Sequence, residues 1–225
     1  MAAGFFITGT DTGVGKTLVA CALLEGLRSS GRSVVGMKPV AAGREHGKWL
    51  DVDALAAASS VAAPERTVNP YAFEPAVAPH IAAQRAGIQM DLEKILAAFR
   101  ELSRLAEVVI VEGAGGFLVP LNARQTTADL ARLLGVPVVL VVGMRLGCLN
   151  HALLTRDAIA SAGLPCAGWV ANGVVEEMPE LEYNVQALVE RLDCDFLGEI
   201  PYRAGLSPRD AARSLNVQAL LHAHG

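Results

Sequence analysis

Apolar residues in this chain follow two rhythms. Short, nearly continuous apolar runs occur at about 3–8 (AGFFIT), 33–38 (SVVGMK), 107–112 (EVVIVE), 137–143 (PVVLVVG), 166–171 (CAGWVA) and 195–199 (DFLGE). A strand with one wet face alternates between apolar and polar. These runs do not, which predicts strands covered on both faces in a parallel sheet. Between them, longer stretches at about 15–30, 51–60, 90–106, 126–135, 149–163 and 180–193 carry apolar residues at helical spacing. Strands alternating with helices predict a doubly wound α/β fold with a mostly parallel sheet. Residues 39–50 and 64–89 interrupt the rhythm with Pro39, Gly43, Gly47, Pro64, Pro70, Pro75, Pro79 and Gly87. They are expected to be long loops of functional use. Beyond Ser207 the pattern predicts a helix capped by that serine, with Pro208 at its first position.

Composition narrows the class. No linker, repeat or low-complexity tract divides the 225 residues, and length alone favours one domain, since domains run to roughly 150 residues. Hydrophobic residues make up 52% and charged residues 19%, which excludes intrinsic disorder. The net charge of −4, without a basic block, argues against a nucleic-acid partner. A small anionic ligand needs only a local pocket and stays open. Cys21, Cys148, Cys166 and Cys194 include no C-x-x-C pair, so reduced thiols in a cytoplasmic protein are expected. The most apolar stretch, Leu133 to Met144, is broken by Gly135, Pro137 and Gly143. It is shorter than the ~20 residues of a membrane span. Histidines 46, 80, 151, 222 and 224 show no metal-ligand spacing, and no nucleophile-elbow or Cys/His catalytic signature occurs.

The strongest chemical signal is Gly9-Thr-Asp-Thr-Gly13-Val14-Gly15-Lys16-Thr17, which follows the first expected strand and opens the first expected helix. That context predicts a phosphate-binding P-loop. Glycines let backbone N–H groups turn toward phosphate, and the helix N-terminus favours negative charge. Lys16 is expected at the β- and γ-phosphates and Thr17 at Mg²⁺. The strict pattern puts a glycine at position 10. Here Thr10 stands there and Gly9 precedes it. A second signal is Val109-Ile-Val-Glu112-Gly113-Ala114-Gly115-Gly116, a buried strand ending in a carboxylate and a glycine run. At the carboxyl edge of a parallel sheet Glu112 is a candidate for Mg²⁺, alongside the alternative of a plain glycine turn. Lys38, before Pro39 and Val40, closes the second strand on the same edge. A second lysine there suits phosphoryl transfer to an anion; a solvated strand-end lysine is the plainer alternative. Asp53 either caps the next helix or faces the metal, and spacing leaves both open. The turn Gly147-Cys-Leu-Asn-His151 either holds a carboxylate on free N–H groups or simply starts a helix.

In order along the chain, Gly9–Thr17, Lys38-Pro-Val, Asn69-Pro-Tyr, Pro79-His, Val111–Gly116, Leu146–His151, Ala167–Asn172 and Gly198–Pro201 resemble the dethiobiotin synthetases, ATP-using enzymes with a P-loop-type fold. The resemblance implies that 7,8-diaminononanoate, CO₂ and MgATP give dethiobiotin, ADP and phosphate. The route passes through a carbamate and a carbamic–phosphoric anhydride, in a homodimer. It implies catalytic roles for Lys16, Lys38 and Thr12, and a metal site of Thr17, Asp53 and Glu112. It implies nucleotide contacts from Gly13 to Thr17, from Glu112 to Gly115, and at Asn172, Pro201, Tyr202 and Arg203. Substrate contacts are implied at Thr12, Lys38, Ala42, Pro79, Gly147, Cys148, Leu149, Asn150 and Tyr183, some of them from the second subunit. The chain departs from the family at Ala42, where some relatives have serine. Gly173 replaces a frequent aspartate and Tyr202 a frequent tryptophan. The rival from another class is a switch or partitioning ATPase of the deviant-Walker group. Those carry a second lysine early in the P-loop, where this chain has Asp11. A cobalamin-type amidoligase is a third reading, but its usual glutaminase domain finds no room in this length.

Overall fold

The computed structural model describes residues 3–222. Six parallel strands form the central sheet: β1 (Ala3–Gly9), β2 (Val34–Met37), β5 (Val108–Gly116), β6 (Val138–Met144), β7 (Cys166–Gly173) and β8 (Phe196–Ile200). They lie in the order β2-β5-β1-β6-β7-β8. Each coincides with an expected apolar run, and β5 continues four residues further through the glycines. The run is apolar throughout because both faces are covered. On β1, Phe5 and Ile7 enter one apolar cluster and Phe6 enters the other. Val108 and Ile110 on β5, and Val139 and Val141 on β6, likewise join the first cluster, while Val109, Val111, Val138 and Leu140 join the second. One layer of helices contains α1 (Lys16–Ser29), α2 (Leu50–Ala58), α9 (Pro208–Ala212) and α10 (Val217–His222). The opposite layer contains α5 (Leu92–Leu105), α6 (Thr127–Leu134), α7 (Cys148–Ser161) and α8 (Leu181–Val189).

The helix starts follow local chemistry. Thr126 and Asp129 form a reciprocal capping box on α6, Asp91 caps α5, and Ser207 caps α9 with Pro208 in its first turn, as the sequence predicts. The remaining helix starts with an assigned N-cap have no side-chain cap, and two of them share a further feature. Both α1 and α7 begin after a glycine with positive φ, Gly15 at 86° and Gly147 at 95°, with no side-chain cap and no acidic residue in the first turn. Their first N–H groups are left for an anion.

The interrupted stretches 39–50 and 64–89 are more ordered than expected. They contribute β3 (Val40–Ala42) and β4 (Tyr71–Phe73), paired in a small parallel sheet, with α3 (Glu65–Val68) and α4 (Pro79–Arg85) around it. Three-residue strands give too short a run for periodicity to show, and the prolines mask them. The chain order places the ligand edge. From β1 the chain crosses to β2, β5 later fills the gap between them, and β6 goes to the other side of β1. That reversal opens a crevice at the carboxyl ends of β1, β5 and β6. Among the described residues, no helix is long and apolar enough to cross a membrane.

Candidate active site

The P-loop runs from the end of β1 into α1. Gly13 and Gly15 have φ of 74° and 86°, where a side chain is strained. At Gly15 there is no room either, because a Cβ would run into the Asn172 amide. Asn172, buried near the end of β7, donates Nδ2–H to the Val14 carbonyl oxygen at 2.8 Å. Its Oδ1 is buried without a hydrogen-bond partner. The residue expected to read the nucleotide thus already grips the loop. Lys16 is buried, and its Nζ donates to the Asp11 carbonyl oxygen at 2.9 Å. Burial and the nearby Lys38 charge bring its pKa down to about 8.

Lys38 and Glu112 meet in the interior. Lys38 Nζ lies 2.6 Å from Glu112 Oε1 and 2.8 Å from Asp51 Oδ2. Burial disfavours the ammonium, but Glu112 and Asp51 outweigh it and hold the lysine above its ordinary range. Thr17 Oγ1 donates to the same Glu112 oxygen at 2.9 Å. Glu112 Oε2, equally buried, has no partner. A buried carboxylate oxygen without a donor, beside a threonine hydroxyl, fits a hard divalent cation. Among the described residues, no three His, Cys, Asp or Glu side chains form a metal-holding group. A cation there would therefore draw on phosphate oxygens as well. The backbone carrying Lys38 is fixed from the small sheet: Lys38 N–H donates to the Val68 carbonyl, and Asn69 Nδ2 donates to the Lys38 and Tyr71 carbonyl oxygens at 2.6 and 3.0 Å. This is a structural role for the Asn69-Pro-Tyr segment.

The two acidic residues in the first turn of α2 are placed differently. The structure brings Asp51, not Asp53, to Lys38. Asp53 is exposed in the first turn of α2, and its side chain makes no hydrogen bond or ion pair among the described residues. The physical reason is helical geometry: residues two apart on a helix point about 200° away from each other. Asp51 has no motif of its own and could be found only once the α2 start was fixed in space. Asp11 was also missed as an anchor. Its Oδ1 accepts from the Thr12 N–H at 2.7 Å and its Oδ2 lies 2.8 Å from Arg145 Nη2, which ties the loop tip to the β6–α7 turn.

The other expected residues are distributed along the same edge. Thr12 is exposed at the loop tip, and a Cβ on Gly115 would lie 3.5 Å from its Oγ1, so the two glycine segments adjoin. Gly113 and Ala114 continue β5, and the Gly113 carbonyl oxygen lies 3.5 Å from Lys38 Nζ. Ala42 ends β3, and Pro79 is buried at the start of α4, which packs on β3. Gly147, Cys148, Leu149 and Asn150 form the uncapped start of α7. Tyr183 sits on α8 with 74% of its surface exposed. Pro201, Tyr202 and Arg203 are exposed just past β8. A Cβ on Gly173 would lie 2.5 Å from the Tyr202 nitrogen, so this glycine lets the segment after β8 close against β7. A surface depression of about 1210 Å³ lies elsewhere, lined by His80, Gln84, Met90, Asn122 and Arg124 among others. It includes no P-loop residue and neither lysine, so its size does not make it the phosphate site.

A family model described as an AAA domain matches residues 3–210. The ATP-dependent dethiobiotin synthetase BioD of Nitrosospira multiformis is 56% identical over 217 residues, covering 96% of each chain. That of Aromatoleum aromaticum is 54% identical, covering 95% of this chain and 96% of its own. The chain belongs to the dethiobiotin synthetase family. Among solved structures, MinD of Aquifex aeolicus matches with a TM-score of 0.61 at 17% identity, covering 100% of this chain and 98% of its own. MinD of Pyrococcus horikoshii, complexed with Mg-ADP, matches with 0.58 at 18%, covering 99% and 96%. At such identity these likenesses show the P-loop α/β fold alone. They do not favour the switch-ATPase reading over the dethiobiotin synthetase family.

Proposed function

We propose that this chain makes dethiobiotin from 7,8-diaminononanoate, CO₂ and MgATP, releasing ADP and phosphate. The observation that carries the reading is the buried Lys38–Glu112 pair beside the P-loop, with Lys16 on the same edge. In the proposed sequence one substrate amine adds to CO₂, loses a proton and becomes a carbamate. A carbamate oxygen attacks the γ-phosphorus, ADP leaves, and a carbamic–phosphoric anhydride forms. The second amine attacks its carbonyl carbon, phosphate leaves, and the ureido ring closes with loss of a proton. The first transfer brings two anions together, so it needs concentrated positive charge more than covalent help from the protein.

Lys16 would hold the β- and γ-phosphates, and Lys38 would meet the carbamate, with Thr12 beside it. Thr17 and Glu112 would hold Mg²⁺, with Asp53 joining them as the family resemblance implies. The ion supplies charge neutralisation between phosphate oxygens. Sharing Glu112 with a cation would loosen its hold on Lys38 and free that ammonium for the substrate. Asn172, with Pro201, Tyr202 and Arg203, would line the nucleotide pocket. The substrate carboxylate lies at the far end from the amines and needs its own anchor. The uncapped α7 start supports Gly147 to Asn150 in that role. A homodimer in the cytoplasm is part of the reading. Leu146, 99% exposed, and the exposed Tyr183 support a second copy covering this edge, and four free cysteines support a reducing compartment.

Phosphate release from ATP tests the proposal. The full rate should require diaminononanoate and bicarbonate together, with dethiobiotin formed in equal amount. Release that ignores both and responds instead to a protein or DNA partner would overturn it.

A further inference from the structure

We infer that Cys166 and Cys194 form a reactive dithiol that small disulfides, such as oxidised glutathione, convert to an internal disulfide. The inference is independent of the proposed reaction. Cys166 opens β7, and Cys194 stands two residues before β8. Their sulfurs are 2.8 Å apart, and both residues are partly exposed. Both lie at the amino ends of parallel strands. Asn172 is six residues along β7, or about 20 Å at strand rise, so the pair is remote from the P-loop edge.

The surrounding backbone holds the two segments together. The Trp169 N–H donates to the Asp195 carbonyl oxygen at 2.8 Å, and the Trp169 and Phe196 rings lie 4.6 Å apart. A Cβ on Gly168 would lie 2.8 Å from that same Asp195 oxygen, so the strands approach closer here than a side chain permits. A tight turn, with Cys194 N–H donating to the Leu192 carbonyl oxygen, aims the second sulfur back at the first. Closing the bond therefore needs little backbone movement, whereas sulfurs held far apart would need much.

Arg156 on α7 supplies a second, independent observation. Its Nη2 donates to the Asp193 carbonyl oxygen at 3.3 Å, beside Cys194, while its Nε is buried with no hydrogen-bond partner. A guanidinium in that place favours a thiolate. Hydrogen bonding from Cys194 holds the Cys166 thiol below its ordinary range against the effect of burial, and pushes Cys194 up. The two remaining thiols differ. Burial pushes Cys21 up to about 12 and also raises Cys148, which leaves both unreactive.

The chemistry balances with one named oxidant. The Cys166 thiolate attacks one sulfur of oxidised glutathione, forming a mixed disulfide and expelling one glutathione thiolate. Cys194 gives up its proton, attacks the Cys166 sulfur, and expels the second. Two protein thiols are oxidised and one glutathione disulfide is reduced to two thiols.

The test treats the folded protein with oxidised glutathione, quenches it with acid, and maps non-reduced peptides by mass. The expected result is a Cys166–Cys194 linkage with Cys21 and Cys148 still reduced, and a higher Tm, since the bond closes 28 residues. Cys194→Ser should instead accumulate glutathione on Cys166, because nothing remains to expel it. A wild-type chain that keeps all four thiols, bridges through Cys21 or Cys148, or stops at a stable glutathione adduct on Cys166 overturns the inference.

Discussion

Two lysines on one sheet edge are buried to nearly the same degree, yet their surroundings oppose each other. Lys38 has two carboxylates within 2.8 Å and is held above its ordinary pKa. Lys16 has one backbone carbonyl and is brought down to about 8. The first is charge-compensated within the fold, and the second is not. A buried ammonium with so little compensation favours any anion that enters, which is what a phosphate-binding loop requires. In the proposed reaction the paired lysine has a different use: its charge is fixed in place before substrate arrives, at low cost in later reorganisation.

Replacing each lysine should expose this difference. Lys16→Ala should lower ATP-dependent turnover by ~10²–10³, on the scale of about 2.7–4 kcal/mol for one lost transition-state donor. Its melting temperature should stay level or rise, because an under-compensated buried charge is removed. Steady-state rates and a thermal melt measure both; a large fall in Tm would mean Lys16 is compensated after all. Lys38→Gln should lower kcat by roughly 10–10²-fold with the KM for ATP little changed, the pattern of an interaction made mainly in the transition state. Unlike Lys16→Ala, it should also destabilise. It strands Glu112 and Asp51, and breaking a buried pair costs about 3–5 kcal/mol. At roughly 2–4 °C per kcal/mol for this chain length, the melt should fall by on the order of 10 °C.

Glu112→Gln tests which duty of that carboxylate matters most. If its free oxygen serves a cation, the Mg²⁺ concentration for half-maximal rate should rise about tenfold while Asp51 still pairs Lys38. An unchanged titration would restrict Glu112 to holding Lys38. The smallest effects should come from the two aspartates of α2, and they should separate cleanly. Asp51→Asn weakens a partly exposed pair and should lower Tm by a few degrees without moving the Mg²⁺ titration. Asp53→Asn is an exposed change, expected within about 0.5 kcal/mol in stability. It should move the Mg²⁺ titration by a few-fold if Asp53 joins the metal site when substrates bind. A shift with Asp51→Asn alone would hand the metal role to Asp51.

The sequence alone determined the six core strands and the six long helices, because burial on both faces leaves an unbroken apolar run and one-sided burial leaves a helical stripe. It also located the P-loop and the glycine segment after Glu112, where backbone geometry restricts the residue types. Gly13, Gly15 and the Lys16–Thr17 step are legible in any frame. What tertiary structure decided was every contact between residues far apart in the chain. Lys38 meets Glu112 across 74 positions and Asn172 grips Val14 across 158, and neither separation leaves a periodic trace. That Asp51 and not Asp53 meets Lys38 depended on the rotation of α2 about its axis, which two acidic residues two positions apart cannot specify. The short strands β3 and β4 were hidden for a related reason. Their pairing fixes the Lys38 backbone, but three residues are too few to show a period, so only their partners reveal them.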